Sequence, residues 1–460
     1  MSMFVVTLPP SAAAHPARYA EKAKRAGADI LEIRGDLTPF LEPFPSPLPI
    51  LLAPRGASTE RLAALRPTYL DLELHEDAQG MLAPHIIRSV HYFKETPSLS
   101  VLKDAAQSLM ATGASMIKIA STVTSYRDLL TLQTLQDSLP SGVQSIVLGM
   151  GDKAHLSRLT SPLRNAFTYA CLSQSESAAP GQLPLSAYSL TAHCKTPRLF
   201  GLLGGPQVRH SMSPLIHATL FSRHSIDALY SLFPADDCEE AFSALSEMRV
   251  QGFSITAPWK RAILDRIHRL DAAAERLQSV NTVIREGDEW VGCNTDMYGI
   301  AQGYPFLAEC ENVAIIGSGG VVPAVIAACE QLHGGARITV YARSASARRE
   351  LEERFEVDAR PLEDLIHAEA QAIICAVSDD VPIFLPQTHH LIHAIDLRYG
   401  KKTKFLKSAE AKGYTVHDGM SLLIHQALKQ YELFTGNVPD ERDIDALSSL
   451  FVPSSLLHGL

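Results

Sequence analysis

The chain has 460 residues, of which 46% are hydrophobic and 20% charged, the proportions of ordinary globular domains. At about 100–200 residues per domain, that length predicts two to four domains. With 41 basic against 50 acidic residues the net charge is −9, which excludes the electrostatic footprint of a nucleic-acid binder and suits an anionic membrane poorly.

No apolar run approaches the roughly 20 residues of a membrane helix. The opening stretch, Met3 to Leu8 and then Pro9-Pro10, lacks the basic region of a secretory signal. The seven cysteines are scattered and form no C-x-x-C pair, so neither a disulfide framework nor a zinc site is expected, and a reducing cytoplasm is. His389, His390 and His393 cluster without an acidic or cysteine partner at ligand spacing. They read as surface or loop residues, and no metal is expected.

Taken in chain order, short apolar runs alternate with helical patterns. The predicted strands are Phe4–Leu8, Ile30–Arg34, Pro49–Ala53, Tyr69–Leu74, Ile86–His91, Met116–Ala120, Ser145–Gly149 and Ala166–Leu172. Helical patterns at Ala17–Ala26, Lys103–Thr112 and Tyr126–Leu135 lie between them. Repeated strand–helix units predict a parallel (β/α)8 barrel of the TIM type, here with tight loops. Ser186–Pro197 breaks the pattern and reads as a joint. A second βα system starts at Arg198 and a third at Asn312, which together predict a two-lobed α/β unit. The expected domains are a barrel over 1–190, a linker over 191–197, a substrate lobe over 198–305 completed by 426–460, and a Rossmann-like nucleotide lobe over 306–425.

In the third system, Val313 to Gly317 is a strand that runs into Ser318, Gly319 and Gly320, and a helix is predicted over Ala324–Leu332. Glycines there let the backbone turn and approach a pyrophosphate, which the helix N-terminus then receives. The next strand, Arg337–Ala342, ends in Arg343, where an acidic residue would hold the ribose of NAD. An arginine at that point instead pairs with the 2′-phosphate of NADP.

The segment before this lobe carries Ser211 and Ser213, then Thr256 and Lys260, then Asn281, then Asp296. Hydroxyls, amides and a lysine–aspartate pair at strand ends suit a polyhydroxylated carboxylate, with the pair delivering a proton to a ketone as hydride arrives. These motifs, with Asp396-Leu397-Arg398-Tyr399 and Gly419 to Ala427, resemble the shikimate dehydrogenase family from about Phe200 to Thr435. The resemblance implies that Ser211 and Ser213 bind the substrate carboxylate, with Tyr399 near it. Thr256, Asn281, Asp296 and Gln426 would bind ring hydroxyls, and Lys260 with Asp296 would be catalytic. Gly317, Ser318, Gly319, Gly320 and Arg343 would hold NADP. The chain departs from the family at Ala218 and after Tyr399.

The first half places Glu32, Arg34, Arg55, Glu73, His91 and Lys118 at predicted strand ends, which in a barrel converge on one mouth. An inward lysine among cations, with its pKa lowered by them and by desolvation, attacks a ketone as an imine. A neighbouring histidine then moves protons for loss of water, and Glu73 fixes the imidazole. The stretches Glu32-Ile33-Arg34, Ser89 to Pro97, Ile117 to Ala120, Gly149 to Gly151 with Ser157-Arg158, and Ala179 to Gln182 are similar to type I 3-dehydroquinate dehydratase. The similarity implies Lys118 as the Schiff-base lysine, His91 as acid/base, and Arg158 on the substrate carboxylate. Glu32, Arg34, Arg55 and Gln182 would bind hydroxyls or close the site. Departures fall at Ala178 and at Asn165-Ala166.

Together the resemblances imply two consecutive steps, 3-dehydroquinate to 3-dehydroshikimate and then to shikimate with NADPH, on small-molecule substrates alone. Two rivals are a quinate/shikimate dehydrogenase with a non-catalytic barrel and a non-catalytic regulatory protein on the same domains. Retention of Glu73, His91, Lys118 and the Lys260/Asp296 pair argues against both.

Overall fold

The structure is a computed structural model that describes residues 2–451 apart from 40, 58–61, 79, 388–391 and 401. The chain falls into two compact units, one of residues 1–214 and 221–250, the other of residues 215–220 and 251–460.

The first unit is built on β1 (Met3–Thr7), β2 (Ile30–Arg34), β3 (Ile50–Ala53), β4 (Tyr69–Glu73), β5 (His85–Tyr92), β6 (Met116–Thr122), β7 (Ser145–Met150), β8 (Phe167–Cys171) and a short β9 (Leu183–Pro184). Every run predicted as a strand is one, within two residues at either end. They form a curled parallel sheet in the order β7-β6-β5-β4-β3-β2-β1-β8-β9. Between β7 and β8 a side chain stands in for the ladder. The Asn165 amide accepts from the Val147 N–H at 3.0 Å and donates to the Val147 carbonyl at 3.2 Å. The Ala166 N–H donates to the Ser145 carbonyl beside it, at 2.9 Å. The departure from family pattern at Asn165-Ala166 therefore has a structural use at this seam.

Helices α1 (Pro16–Arg25), α2 (Leu99–Ala111), α3 (Tyr126–Asp137) and α4 (His155–Leu159) cover the outside. Proline opens α1 and three basic residues close it, as the helix dipole favours. A Ser125/Asp128 capping box opens α3. The links after β2 and β4 carry no helix among the described residues, which is how the strands fit into a chain shorter than the ~250 residues of a usual barrel.

Alternation along each strand sorts the side chains. Leu31 and Ile33 pack outward with Leu52, Leu70 and Leu72. Ile30, Leu51, Ile87, Ile146, Phe167 and Tyr169 fill the interior. Polar side chains at the C-terminal halves of β2, β4, β5 and β6 share the interior parity.

The stretch read as a joint, Ser186–Pro197, begins inside a short helix, α5 (Leu185–Ser189), with Tyr188 and Cys194 buried. Apolar contacts, not a free linker, set its path. Beyond it, β10 (Arg198–Gly204) and β11 (Ala228–Pro234) pair in parallel, joined through α6 (Ser213–Arg223) and followed by α7 (Cys238–Glu247). This pair packs on the barrel: the Tyr126 hydroxyl donates to the Pro234 carbonyl at 3.0 Å, and the His155 ring lies 3.0 Å from the Ser231 hydroxyl.

The second unit has two sheets. In the first, β12 (Val250–Ile255), β14 (Thr282–Glu286) and β15 (Glu289–Cys293) are antiparallel neighbours, and β13 (Arg269–Leu270) lies parallel to β15. Helix α8 (Asp296–Gly303) leads to the second, made of β16 (Asn312–Ile316), β17 (Arg337–Ala342), β18 (Asp358–Pro361), β19 (Ala372–Cys375), β20 (His393–Asp396) and β21 (Thr415–His417). Their order, β18-β17-β16-β19-β20-β21, is the 3-2-1-4-5-6 of a dinucleotide fold. Helices α9 (Val322–Leu332) and α10 (Ala345–Phe355) follow β16 and β17, and α9 starts two residues before the predicted Ala324. Helix α11 (Met420–Thr435) returns onto α8, where a Cβ on Gly299 would fall 2.8 Å from that of Gln426. His389 and His390 lie outside the described residues, and His393 pairs with His417 at 3.0 Å. No helix among the described residues is long and apolar enough to cross a membrane.

Candidate active sites

In the barrel, Lys118 on β6 is 5% exposed, and its Nζ donates to Asp71 Oδ2 at 2.9 Å. A buried ammonium alone costs several kcal/mol in desolvation, and this carboxylate offsets it. Beyond the expected mixed charges of the mouth, the nearest charge to Lys118 is a wholly buried aspartate, which the sequence reading passed over inside the strand Tyr69–Leu74. Asp71 also takes the Arg55 guanidinium at 2.7 Å and the Ser89 hydroxyl at 2.6 Å. Burial by itself would raise its carboxyl, but Arg55, Lys118, His91 and Ser89 outweigh burial and hold it well below the usual carboxylate range.

Arg55 reaches inward from a left-handed backbone, φ 51°, which a non-glycine residue adopts only under constraint. Its other arm meets Glu73 Oε1 at 2.9 Å, and the same oxygen lies 2.7 Å from His91 Nδ1. Burial lowers the His91 pKa, with Lys118 and Arg55 adding to that, against the Glu73 hydrogen bond. The imidazole is therefore neutral at neutral pH, with Glu73 fixing its orientation. Phe93 stacks on its face, 5.6 Å between ring centroids.

The other predicted barrel residues divide into two groups. Glu32 is buried and accepts from Thr7 at 2.5 Å. Arg34 binds Asp36 through two nitrogens and reaches the Ala178 carbonyl at 3.3 Å. Gln182 is spent on backbone, accepting from the Ala178 N–H and donating to the Ala170 carbonyl, so it folds the 178–182 turn. Arg158 on α4 is different. Its guanidinium is buried, no carboxylate pairs with it, and its Nε has no hydrogen-bond partner among the described residues. Two side chains the sequence reading missed, Asp71 and Tyr169, complete the site. Tyr169 lies in the interior with Lys118 Nζ 4.2 Å from its ring centroid. The strand parity of Asp71 with Glu73 was the available signal for the first.

In the second unit, Lys260 Nζ lies 2.5 Å from Asp296 Oδ2. Asp296 is the first residue of α8, and its other oxygen accepts from Asn281 Nδ2 at 2.8 Å. Asn281 is held in turn by the Thr295 N–H and the Thr282 hydroxyl on its Oδ1. Gln430 on α11 bonds the Asn281 carbonyl and the Ser254 hydroxyl. The predicted Lys260, Asn281 and Asp296 are thus one hydrogen-bonded group. Thr256 sits in the turn that carries Lys260. Gln426 is half-buried on α11 and donates to the Leu423 carbonyl. Tyr399 is 38% exposed beyond β20, on a loop that Arg398 clamps to the buried Asp396. Ser211 and Ser213 belong to the first unit, their hydroxyls 3.0 Å apart.

Lys260 also borders a cleft of about 300 Å³ with Ala257, Pro258, Ser318, Gly319, Gly320 and Pro323. Gly317 has φ 119° and faces the Ala376 carbonyl, while a Cβ on Gly320 would meet open space. The cleft thus offers bare backbone and the uncapped start of α9, which fits a pyrophosphate at the β16/β19 switch point. Arg343 stands exposed at the end of β17, as a 2′-phosphate partner requires. Arg348 does not share that role, since it donates to the Ala342 and Arg343 carbonyls.

Comparison with known proteins agrees with both halves. The type I 3-dehydroquinase family matches residues 54–190, and the shikimate dehydrogenase substrate binding domain matches residues 203–283. A bifunctional 3-dehydroquinate dehydratase/shikimate dehydrogenase of Arabidopsis thaliana, described as chloroplastic, is 27% identical over 90% of this chain and 79% of its own length. The shikimate dehydrogenase (NADP(+)) of Pyrococcus abyssi is 31% identical over 53% of this chain and 94% of its own. The crystal structure of shikimate 5-dehydrogenase from Thermus thermophilus, in complex with NADP(H) and shikimate, superposes with a TM-score of 0.50 at 27% identity, covering 55% of this chain and all of that one. The chain belongs to the shikimate dehydrogenase family and carries a type I 3-dehydroquinase domain ahead of it.

Proposed function

We propose that the chain dehydrates 3-dehydroquinate to 3-dehydroshikimate in its barrel and reduces the product to shikimate with NADPH in its C-terminal unit. One observation carries the reading. A single chain holds a buried lysine beside a histidine–carboxylate dyad, and a lysine–aspartate pair bordering a dinucleotide cleft.

In the barrel, Lys118 Nζ passes its extra proton to His91 and attacks the C3 ketone, and the carbinolamine takes that proton back and loses water to give an iminium. The iminium acidifies C2, and neutral His91 takes that proton while Glu73 holds the ring. The proton then leaves with the C1 hydroxyl as water, and a second water hydrolyses the iminium to free Lys118 and the enone. The balance is one water lost. Arg158, buried without an anion, takes the C1 carboxylate. Glu32, Arg34, Arg55 and Gln182 hold hydroxyls or shape the mouth.

In the second site, NADPH supplies a hydride to the carbonyl carbon when bound. Lys260 gives a proton to the carbonyl oxygen, and Asp296, fixed by Asn281, holds the ammonium in place. Thr256, Asn281, Asp296 and Gln426 bind hydroxyls. Ser211 and Ser213, with Tyr399, are assigned to the carboxylate on the resemblance alone. Gly317, Ser318, Gly319 and Gly320 cradle the pyrophosphate, and Arg343 selects the 2′-phosphate. The domains follow: 1–190, the linker 191–197, 198–305 with 426–460, and 306–425. Seven buried cysteines with no disulfide between them support a reducing cytoplasm as the location.

The test uses the full chain with 3-dehydroquinate and no nicotinamide, following the ultraviolet absorbance of the enone, and then adds NADPH. An enone rise followed by NADPH oxidation is expected. NADPH use with supplied 3-dehydroshikimate but no enone rise would leave a dehydrogenase on a silent barrel.

A further inference from the structure

The barrel interior holds one hydroxyl that the mechanism above does not use. Tyr169 on β8 is 6% exposed, and its hydroxyl oxygen is buried with no hydrogen-bond partner among the described residues. Buried hydroxyls are almost always paired, and a phenylalanine would fill this space without leaving a polar atom orphaned. The position is also not peripheral, because the ring lies against the Lys118 ammonium, 4.2 Å from Nζ to the centroid.

A second buried donor atom without a hydrogen bond among the described residues is the Nε of Arg158, on the helix that follows β7. Arg158 acts electrostatically on the phenol, as do Asp71, Glu32 and Arg55. Burial raises the phenol pKa well above its ordinary value, with Asp71 and Glu32 adding to this, so the group stays a neutral donor at any working pH. Both are buried donors with no acceptor among the described residues, and the phenol lies beside the lysine, so an anionic substrate group seated there would give both a partner.

We infer that the Tyr169 hydroxyl donates a hydrogen bond to the carboxylate of the barrel's substrate, beside Arg158, while its ring supports the lysine that forms the imine. The inference rests on the dehydratase reading and adds a specificity residue to it. Donor and acceptor match: Arg158 supplies the charge, and Tyr169 supplies a directed O–H to the second carboxylate oxygen. Because this carboxylate is unchanged by the reaction, the bond is equally strong before and during the chemistry. Its loss therefore acts on KM rather than kcat.

The experiment compares the full chain with Tyr169→Phe, which keeps the ring under Lys118. Both proteins are treated with borohydride in the presence of 3-dehydroquinate and weighed by mass spectrometry, and dehydration kinetics are measured on each. Reduction of supplied 3-dehydroshikimate serves as the folding control. The expected result is an adduct in both proteins, a KM for dehydration raised ten- to a hundredfold in the variant, as for a lost hydrogen bond to a charged group, and a kcat within about threefold. Adducts in both with an unchanged KM would overturn the inference and leave the imine reading standing. A fall in kcat at constant KM would also overturn it, by moving the hydroxyl from the carboxylate to the reacting atoms. If the unaltered chain gives no adduct, the dehydratase reading itself fails, and the inference fails with it.

Discussion

Asp71 is the residue on which the barrel site turns, since Lys118, Arg55 and Ser89 all converge on its carboxylate. Removing its charge leaves two buried cations facing each other. Breaking a buried pair in this way costs about 3–5 kcal/mol. Asp71→Asn should therefore lower unfolding free energy by roughly 3 kcal/mol in denaturant titration and cut dehydration at least tenfold, with reduction by the second site retained. Full dehydration activity in that variant would show that Lys118 is positioned without it. His91 carries a second expectation. Its pKa is held below the ordinary 6.5, chiefly by burial, and the mechanism needs the neutral ring. Dehydration kcat/KM should thus be flat through neutrality and fall only as pH drops below 6.5, through the depressed value. An acid limb centred above 6.5 would mean that the titrating base is another group. Of these residues the sequence showed Lys118 and His91, which stand in motifs, and Arg55 and Glu73, which fall at predicted strand ends. Asp71 and Tyr169 are strand residues among apolar neighbours, and only the closing of the sheet reveals that they face the lysine.

At the level of elements, the strand pattern was legible because each parallel strand is a compact apolar run bounded by breakers. The helices were less so. The links after β2 and β4 carry no helix among the described residues, and no periodicity distinguishes a missing helix from a weak one. Along the joint at Ser186–Pro197 a polar composition conceals Tyr188 and Cys194, which are buried. The end of β17 shows how local geometry separates residues that composition treats alike. Arg343 and Arg348 lie five positions apart, yet Arg348 spends its donors on the Ala342 and Arg343 carbonyls while Arg343 is exposed. Arg343→Ala should raise the KM for NADPH about tenfold or more, leaving NADH use unchanged, as expected for one charge-assisted contact to phosphate. Arg348→Ala should instead lower Tm with a smaller change in the NADPH/NADH ratio. Steady-state kinetics with both nucleotides decides, and an unaltered preference in the Arg343 variant would remove that residue from the cofactor site.

A third example, at the α4/β11 contact, links an element to pH. His155 is half-buried against Ser231 and Leu232, and its desolvation there lowers its pKa from 6.5 to about 4. The unfolded chain binds this proton near 6.5 and the folded chain near 4, so the unfolded state holds more protons between those values. Stability from this group is complete above pH 6.5 and is lost as pH falls through that window, by at most about 3 kcal/mol. Melting curves from pH 7 to 4 should show that loss, and His155→Gln should flatten it. A slope that is the same in both proteins would place the sensitivity elsewhere, with the buried His217 the next group to examine.

For the whole molecule, the two chemistries depend on separate sets of residues. The barrel array is complete within residues 1–214, and the Lys260–Asp296–Asn281 group lies within residues 251–460. The hydrogen bonds of Lys118 and Asp71 stay within the first set, and those of Lys260 and Asp296 within the second. Lys118→Met should therefore abolish dehydration and spare reduction, and Lys260→Met should do the reverse, each by a factor of about a thousand or more as expected for loss of a nucleophile or a proton donor. An equimolar mixture of the two variants should then convert 3-dehydroquinate to shikimate with NADPH, after a lag while 3-dehydroshikimate accumulates in solution. The lag matters because the intermediate must leave one chain and enter another, whereas in the unaltered chain both sites are always present at the same concentration. Product formation without a lag would mean that the variants had not separated the two steps. No product, although the Lys260 variant releases the enone, would mean that the Lys118 variant does not take 3-dehydroshikimate from solution and that the two sites are not independent.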